Sequence, residues 1–256
     1  MMKILLKLIY ILIWNQNKKA AFKVKYLKKV NTINHFNLLS YSQEQEDLFL
    51  TTYFKDKADG FYVDVGAFDP FTYSNTALLY NKGWSGINID PSIKSIEEFN
   101  KHRTRDININ VGAGIEEDEL DFYVFDEKSA VNTFSKEAKD FVESVDWGKP
   151  LKEVHKVKVK PLAKILDDSM PENQEIDIMD IDVEGLDFEV LKSNNWEKYK
   201  PKVILVEVGK RESIRSAMNN EIITFLESKD YVLFLKCNLT AVFLSKEECK
   251  KREYKI

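Results

Sequence analysis

The sequence FYVDVGAFDPFTYSNT, residues 61–76, changes from an apolar strand pattern to a helical pattern around a single glycine. A glycine at such a turn lets a ligand approach the backbone, and dinucleotide-binding turns use three glycines for this purpose. Here Gly66 stands alone, with Asp64 two residues before it and Asp69 three residues after it. The segment therefore predicts a ligand-binding turn between a strand and a helix, for a ligand that has no pyrophosphate to hold.

Strand patterns and helix patterns alternate along most of the chain after Ser40. Strands separated by helices connect through right-handed crossovers and form parallel sheets. The last two strand patterns, 231–236 and 241–245, are separated by only four residues, which suits an antiparallel hairpin. We therefore expect a doubly wound α/β fold with a mostly parallel sheet and one antiparallel strand near its end. The other strands of this sheet are predicted at 61–66, 85–90, 106–112, 175–183 and 202–208, and the helices at 74–83, 92–102, 162–168, 187–194 and 218–230.

Two further strand patterns fall outside this alternation. Residues 119–125, ELDFYVF, predict an extra strand. Residues 154–161, VHKVKVKP, carry a lysine at alternating positions, which predicts an exposed edge strand. Between them, 126–153 shows no clear periodicity and is predicted to be a variable insertion in the domain.

Length and composition fit one sizeable soluble domain, or one domain with an arm. The chain has 256 residues, of which 44% are hydrophobic and 31% are charged. Its two cysteines, Cys237 and Cys249, do not have the spacing of metal ligands. Because a secreted chain of this size more often has paired cysteines, we predict a cytoplasmic protein.

The first 43 residues differ from the rest of the chain in charge. They contain eight lysines and no acid, so the remainder has 30 basic and 42 acidic side chains and a net charge of −12, which disfavours nucleic acid as a partner. The apolar run in MMKILLKLIYILIW, residues 1–14, is interrupted by Lys7 and is too short to span a bilayer. We predict a basic arm at 1–39, followed by a domain at 40–256. The arm is either a helix packed on the domain or an amphipathic helix peripheral to the inner face of a membrane.

Acidic residues stand at the ends of most predicted strands, where doubly wound sheets bind their ligands. The strand ends are Asp64–Gly66, Asp90, Asn110–Gly112, Asp182–Glu184 and Glu207. An acid beside a helix start also caps the helix or favours its dipole, which explains Asp69 and Asp187 without a ligand. That explanation does not suit Asp64 and Asp90, because both lie within apolar strand segments.

The residues after Gly66 argue against a phosphate ligand. They read AFDPF, with no second glycine and no lysine, whereas a phosphate site needs several backbone N–H groups and positive charge. Asp90 follows Gly66 by 24 residues, which suits an acid that receives ribose hydroxyls. S-adenosylmethionine has a ribose and a cationic portion but no phosphate, so it fits these residues. Two alternatives stay open: an enzyme of NAD or another nucleotide on a similar sheet, and a non-catalytic binding module.

Five sequence blocks together resemble the FkbM family of S-adenosylmethionine-dependent methyltransferases. The resemblance extends from about Ser40 to Gly209, and it leaves out the arm and the 126–153 insertion. It implies the seven-stranded, Rossmann-like methyltransferase fold of class I and O-methylation, often of a sugar in a glycan or polyketide-type product. The blocks are YSQEQEDLFL, GFYVDVGAFDPFTYSNT, GWSGINIDP, IDIMDIDVEGLDFEVLKSNNW and PKVILVEV.

The resemblance also implies roles for individual residues in holding the cofactor. Asp64 would face the cationic side of the cofactor and Asp90 its ribose. Backbone donors at the start of the next helix would hold the methionine carboxylate. The full set of cofactor-binding residues is predicted as Asp64, Gly66, Ala67, Ser74, Asn75, Asp90 and Asn110, with Thr76 at the same helix start.

The segment DIDVEG carries the candidates for catalysis. Asp180, where many relatives have a lysine, alternates with Asp182 and Glu184, so an extended strand would put all three on one face. Three such carboxylates are oxygen ligands of the kind that Mg²⁺ or Ca²⁺ prefers, so Mg²⁺ stays open as a second cofactor, although the residues favour a catalytic role over a metal site. We predict that Asp182 and Glu184 orient or deprotonate the acceptor hydroxyl. In the structural alternative, Glu184 and Gly185 only turn the chain into the next helix.

The sequence leaves open which residue is the general base and which residues contact the acceptor. His102 and His155 could each serve as a general base, although a lone histidine is more often a surface residue. The acceptor, a small molecule or glycan, is expected to contact the 126–153 insertion, which has polar and aromatic groups suited to sugars. The groups in question are Asn132, Thr133 and Trp147.

Overall fold

The computed structural model describes residues 39–126, 129–145, 150–208 and 213–255. The predicted arm, apart from Leu39, and Trp147 lie outside these residues. In chain order the elements are α1 Glu46–Tyr53, β1 Phe61–Val65, α2 Ala77–Asn81, β2 Ser85–Asp90, α3 Ile93–His102, β3 Ile107–Asn110, β4 Gly112–Gly114, β5 Asp118–Val124, α4 Lys136–Ser144, β6 Glu153–Pro161, α5 Leu162–Ser169, β7 Ile178–Ile181, α6 Asp187–Lys192, β8 Val203–Glu207, α7 Ile214–Ala217, α8 Glu221–Ser228, β9 Tyr231–Lys236, β10 Thr240–Ser245 and α9 Lys246–Lys251.

Seven strands form the main sheet in the order β3-β2-β1-β7-β8-β10-β9. All neighbouring pairs are parallel except those of β10, which runs antiparallel to both β8 and β9. The predicted fold class, a doubly wound, mostly parallel sheet with one antiparallel strand, is confirmed. The strand order reverses at β1, which pairs with β2 on one side and with β7 on the other. Ligands of such folds bind beyond the carboxyl ends of the strands at this reversal.

The central strands are buried on both faces, as parallel strands covered by helices must be. Every residue of β1 and of β7 is buried. Val63 and Val65 of β1 pack into the larger apolar cluster, whereas Tyr62 faces a second cluster with Leu50 and Trp84 on the opposite side. Since side chains alternate along a strand, Asp64 shares the face of Tyr62. An acid at such a position needs partners inside the protein.

A second, three-stranded sheet has the order β4-β6-β5. The prediction that 154–161 is an edge strand is therefore wrong, because β6 lies between two partners. Its residues 159–161 pair with β4, and its residues 153–159 pair with β5. The alternating lysines instead reflect one exposed face, since Lys156 and Lys158 are exposed while Val159 is buried.

The single strand predicted at 106–112 is two short strands in different sheets, β3 and β4. Gly112 is required where they separate, because a Cβ there would lie 2.6 Å from a Val159 methyl and 2.8 Å from the Phe134 ring. The helix predicted at 74–83 is also shorter than expected and begins only at Ala77. In the insertion, α4 is a helix that the sequence did not reveal. Within the described residues, no helix is both long enough and apolar enough to cross a membrane.

The turn after β1 ties three strands together. The amides of Gly66 and Ala67 both donate to the carbonyl of Ile89, at 2.9 and 3.2 Å, and the Asp182 amide donates to the Val65 carbonyl at 2.9 Å. Gly66 has φ +83°, and a Cβ at this position would lie 1.8 Å from the Asp182 carbonyl oxygen. Only glycine fits this turn, because both the backbone angle and the close approach exclude a side chain.

Replacing Gly66 with alanine should destabilise the fold by more than about 2 kcal/mol, because left-handed backbone strain adds to the clash with Asp182. For a chain of this size the melting temperature should fall by roughly 4–8 °C. Gly114→Ala is the matched control, since its Cβ would meet Val159 at an ordinary 3.6 Å. Thermal unfolding followed by circular dichroism measures both variants. Equal melting temperatures for the two would contradict this account of the turn.

Candidate active site

One cavity lies at the carboxyl ends of β1, β2 and β7, where the strand order reverses. It is open to solvent on one side, and its place beyond the strand ends is where such sheets bind small-molecule ligands. The turn after β1, the loop before α2 and the ends of β2 and β7 form its walls, and residues of the second sheet and of the insertion complete it. The polar and acidic lining residues are Gln43, Asp64, Ser74, Asn75, Asp90, Ser92, Ser95, Ser129, Asn132, Asp180, Asp182 and Glu184.

The charge of this lining is one-sided. Five of its residues are carboxylic acids, and within the described part of the chain no lysine, arginine or histidine lines the cavity. Phosphate groups are held by positive charge and by clustered backbone N–H groups, so this lining does not suit them. A cation, in contrast, would be stabilised by the carboxylates around it.

Asp64 is buried, and its Oδ2 accepts a 2.7 Å hydrogen bond from the Thr76 hydroxyl. Burial raises the pKa of the Asp64 carboxyl, because it disfavours the charged form, while Thr76 and the nearby Arg103 act in the opposite direction. Gly66 and Ala67 follow directly and also line the cavity. Three of the predicted cofactor residues thus lie together on one wall.

The loop before α2 uses many of its polar groups within the protein. Asp69 accepts hydrogen bonds from the amides of Phe71 and Thr72, as expected of a loop residue. The Ser74 amide donates to the Tyr41 carbonyl at 3.1 Å, so it is engaged although Ser74 lines the cavity. Asn75 donates its Nδ2 to Asp180 at 2.9 Å. Its Oδ1 is buried and accepts no hydrogen bond from the described residues, and therefore lacks a donor.

Asp90 is held by two backbone amides at the end of β2. Its Oδ2 accepts from Phe68 at 2.9 Å and its Oδ1 from Ser92 at 2.7 Å. Burial raises the pKa of Asp90 to about 6, and the two amides oppose this shift. Each carboxylate oxygen keeps a further lone pair, so the fixed carboxylate can still accept hydrogen bonds from a ligand.

Asn110 does not line this cavity. Its Nδ2 donates to the carbonyls of Asp90, at 3.0 Å, and of Pro91, at 2.9 Å. It lines a neighbouring second cavity, together with His155. Asn110 therefore supports the Asp90 backbone from outside the cavity.

The chain leaves the extended conformation directly after β7. Glu184 has φ +55° and Gly185 has φ +105°. The extended strand on which the expected single face of Asp180, Asp182 and Glu184 depends ends at Ile181. All three residues nevertheless line the same cavity. Asp187 holds this turn by accepting from the amides of Val183 and Gly185, at 3.1 and 3.2 Å.

The three carboxylates of this segment do not converge as metal ligands. In the described ranges, the one group of acidic, cysteine or histidine side chains whose ligand atoms lie within 4.8 Å of one another is Glu44, Glu46 and Cys237. The Glu44 carboxylate accepts from the Leu239 amide, and the Glu46 carboxylate accepts from the Glu44 amide, both at 2.9 Å. These hydrogen bonds account for the group without a metal.

The acids around the turn after β7 raise one another's pKa. Burial, and then Glu207, raise the pKa of Glu184 to about 8, and burial also raises the pKa of Glu207 to about 7. Removal of water by the surrounding protein, and then the charge of Glu184, raise the pKa of Asp182. The Asp182 side chain is nevertheless accessible to solvent through the cavity, so its full dehydration requires a ligand there.

The insertion supplies a wall of the cavity and supports Glu184. Thr133 donates its hydroxyl to the Glu184 carbonyl at 2.9 Å, and its backbone pairs with Tyr123. Asn132 lines the cavity, but its side chain also bonds the backbone of Phe125 and of Asp126. Of the three residues predicted to contact an acceptor, the two that the structure describes, Asn132 and Thr133, thus have a structural role.

Neither candidate histidine lines this cavity. His102 lies 3.4 Å from Glu98, and the exposed His155 lies 2.7 Å from Glu153. Sequence reasoning missed Gln43, which lines the cavity from the segment before α1, and the buried Arg103 behind it. Gln43 stands in the block YSQEQEDLFL, and the resemblance of that block to the family is the one signal that pointed to it. Arg103 follows a helix, and nothing in its neighbours predicts burial.

Comparisons with known proteins identify one family and one similar solved structure. The family model described as the methyltransferase FkbM domain matches residues 64–233, which is well over half of the chain. A crystal structure of methyltransferase FkbM from Methylobacillus flagellatus KT shares 13% identity with a TM-score of 0.44. The match covers 73% of this chain and 44% of that one, so the chain spans less than half the length of this relative. A search of curated proteins finds no match. On the strength of the family model, the chain belongs to the FkbM methyltransferase family.

Proposed function

We propose that this protein transfers the methyl group of S-adenosylmethionine to a hydroxyl of a sugar or glycan-type acceptor. The observation that carries the proposal is the cavity lined by five carboxylates and, among the described residues, by no basic side chain. S-adenosylmethionine has a positively charged sulfonium and ammonium and no phosphate, so its charges complement this lining. Membership of a methyltransferase family supports the same cofactor.

The residues present fit this cofactor in its separate parts. Asp90, fixed by two amides, is suited to accept from the ribose hydroxyls. Asp64 and the unpaired Oδ1 of Asn75 are suited to the ammonium group. Gly66 leaves the backbone open to close approach. The backbone amide of Ser74 already donates to Tyr41, so it cannot hold the methionine carboxylate of the cofactor. The side-chain amide of Gln43 is the proposed donor to that carboxylate.

The bound cofactor supplies a methyl group that is already activated by the sulfonium. The protein must therefore orient an acceptor oxygen in line with the S–CH₃ bond and take up its proton. Asp182 lies at the accessible edge of the cavity and is the proposed base, with Glu184 beside it to orient the hydroxyl. A positive charge in the cavity lowers the pKa of both carboxyls, so the base ionises when the cofactor is in place.

The alternatives differ from this proposal in the ligand they require. An NAD- or nucleotide-dependent enzyme needs positive charge near phosphates, which the described lining of the cavity lacks. A non-catalytic binding module needs no cofactor. The cytoplasmic location, the absence of a nucleic-acid partner and a membrane contact through residues 1–39 are part of the proposal. The location rests on the cysteine content of the sequence, and the other two rest on its charge distribution.

The cofactor assignment predicts a pattern across three ligands and two variants. S-adenosylhomocysteine should raise the melting temperature, whereas NAD should not, because a ligand stabilises only the protein that binds it. Asp90→Asn should weaken both S-adenosylhomocysteine and 5′-methylthioadenosine, which shares the ribose. Asp64→Asn should weaken the former by roughly tenfold and leave the latter unchanged, since methylthioadenosine has no ammonium. Thermal shift measures the stabilisation, and calorimetric titration measures the affinities. Stabilisation by NAD alone would overturn the proposal.

Replacing the proposed base should separate catalysis from binding. Asp182→Asn should slow methyl transfer to hydroxylated acceptors by ~10²–10⁴-fold, because the proton has no acceptor, while S-adenosylhomocysteine still binds. Transfer of labelled methyl groups to a panel of sugars and glycans measures the rate. Asp121→Asn, at an exposed position of β5, is the control. Near-normal transfer by Asp182→Asn would remove Asp182 from the mechanism.

Glu184 should make stability depend on pH. The fold raises its pKa from 4.5 to about 8, so between these values the folded protein keeps a proton that the unfolded chain releases. Stability therefore falls as pH rises through this window. Glu184→Gln lacks this loss and should melt above wild type, by a margin that grows from about pH 5 to about pH 8 and then stays constant. The other acids that face Glu184, namely Asp182, Asp187 and Glu207, are present in both proteins.

Melting curves over this pH range test the prediction, with the exposed Glu172→Gln as the control that should track wild type. If the melting temperatures of the wild-type and Glu184→Gln proteins depend on pH in parallel, then the fold does not raise the pKa of Glu184.

A further inference from the structure

Arg103 is completely buried, and its donors all point to one segment, residues 70–76. Its Nη1 donates to the Thr76 hydroxyl at 2.6 Å. Its Nη2 donates to the Ser74 hydroxyl at 2.7 Å and to the Pro70 carbonyl at 2.6 Å, and its Nε reaches the same carbonyl at 3.2 Å. The guanidinium thus fixes both ends of a loop that has no regular secondary structure.

Aromatic rings enclose the same guanidinium. Its carbon lies 5.0 Å from the centre of the Phe99 ring and 5.6 Å from that of Tyr80. These contacts hold the charged group where water cannot reach it. A buried arginine of this kind requires compensation by negative charge and by complete hydrogen bonding.

The compensating charge lies at the cavity wall. Thr76 accepts from Arg103 and donates to Asp64 at 2.7 Å, so one hydroxyl connects the buried cation to the buried carboxylate. On the far side, Asp106 is hydrogen-bonded to Tyr62 and also feels the charge of Arg103. Asp64 in turn faces the carboxylates of Asp90 and Asp180.

Arg103 itself does not line the cavity, whereas Asp64, Ser74 and Asn75 do. We propose that Arg103 is a positioning residue that sets the site for the amino-acid portion of the cofactor, by fixing the 70–76 loop and by placing a positive charge behind Asp64, to which Thr76 connects it. The inference rests on the proposed function, because it assumes that a ligand ammonium lies against this wall. It gives the site a cation that acts from behind the wall and not through contact with the ligand.

Lysine should replace this function only in part. Arginine presents five donors in a rigid fork, and here the fork serves two hydroxyls and one carbonyl. A lysine keeps the charge but cannot reach all three acceptors in that geometry. Charge and loop geometry can therefore be separated experimentally.

Calorimetric titration of S-adenosylhomocysteine and of 5′-methylthioadenosine tests the proposal on four full-length variants. Arg103→Met should weaken S-adenosylhomocysteine at least about tenfold at neutral pH and leave methylthioadenosine within about twofold. The difference in S-adenosylhomocysteine affinity between Arg103→Met and wild type should shrink as pH rises. Without the positive charge of Arg103, Asp64 ionises only at higher pH. Arg103→Lys should restore the flat pH profile with only part of the affinity. Arg105→Met, which removes a stacking partner of Tyr80 outside the cavity lining, should behave as wild type.

Thr76→Val keeps the shape of the buried side chain and removes only the hydroxyl between Arg103 and Asp64. It should also weaken S-adenosylhomocysteine selectively, and it decides the matter if Arg103→Met does not fold. Equal loss of both ligands in folded variants, or unchanged binding by Thr76→Val, would overturn the role of Arg103 alone. Failure of the wild-type protein to bind S-adenosylhomocysteine would instead overturn the proposed function and this role with it.

Discussion

The gathering of five carboxylates in one cavity, where burial and then their mutual repulsion disfavour the charged forms, is the constraint on which the site depends. Asp64, Asp90, Asp180, Asp182 and Glu184 share one cavity, and burial raises the pKa of each. Such a cluster lowers the stability of the fold near neutral pH. Each carboxyl with a raised pKa keeps a proton that the unfolded chain would release, and this difference favours unfolding as pH rises. A cationic ligand offsets that cost, because it favours the charged form of every carboxyl around it. A cationic cofactor should therefore stabilise the fold when it binds among these carboxyls.

The surrounding protein holds these acids at fixed positions by different means. Backbone amides fix Asp90, an asparagine fixes Asp180, and a hydroxyl backed by a buried arginine fixes Asp64. Among the residues that the structure describes, none donates a hydrogen bond to the Asp182 side chain, which remains accessible. This difference matches the proposed division of work, in which rigid acids bind the cofactor and an accessible acid meets the acceptor. Thr133 extends the arrangement by tying the insertion to the Glu184 turn.

The sequence predicted most of the main sheet, because its strands are continuous apolar runs whose burial the pattern reports directly. It also located the acids, since strand ends follow from strand positions. It could not predict contacts between distant residues, such as Arg103 with Pro70 or Thr133 with Glu184, which no local pattern encodes. The lysines of β6 indicated an exposed face and not the number of partner strands. The left-handed backbone of Glu184 ended an alternation that residue spacing alone implied.

Proton release on cofactor binding tests the central claim most directly. Titrating S-adenosylmethionine into the protein at about pH 6.5, where the α-amino group of the ligand is protonated, in buffers of different ionisation enthalpy gives the net number of protons exchanged. If the acidic cavity receives the cation, its carboxyls lose protons to the buffer, and the binding enthalpy varies with the buffer in the sense of release. Binding without proton release, or no binding at all, would contradict the account.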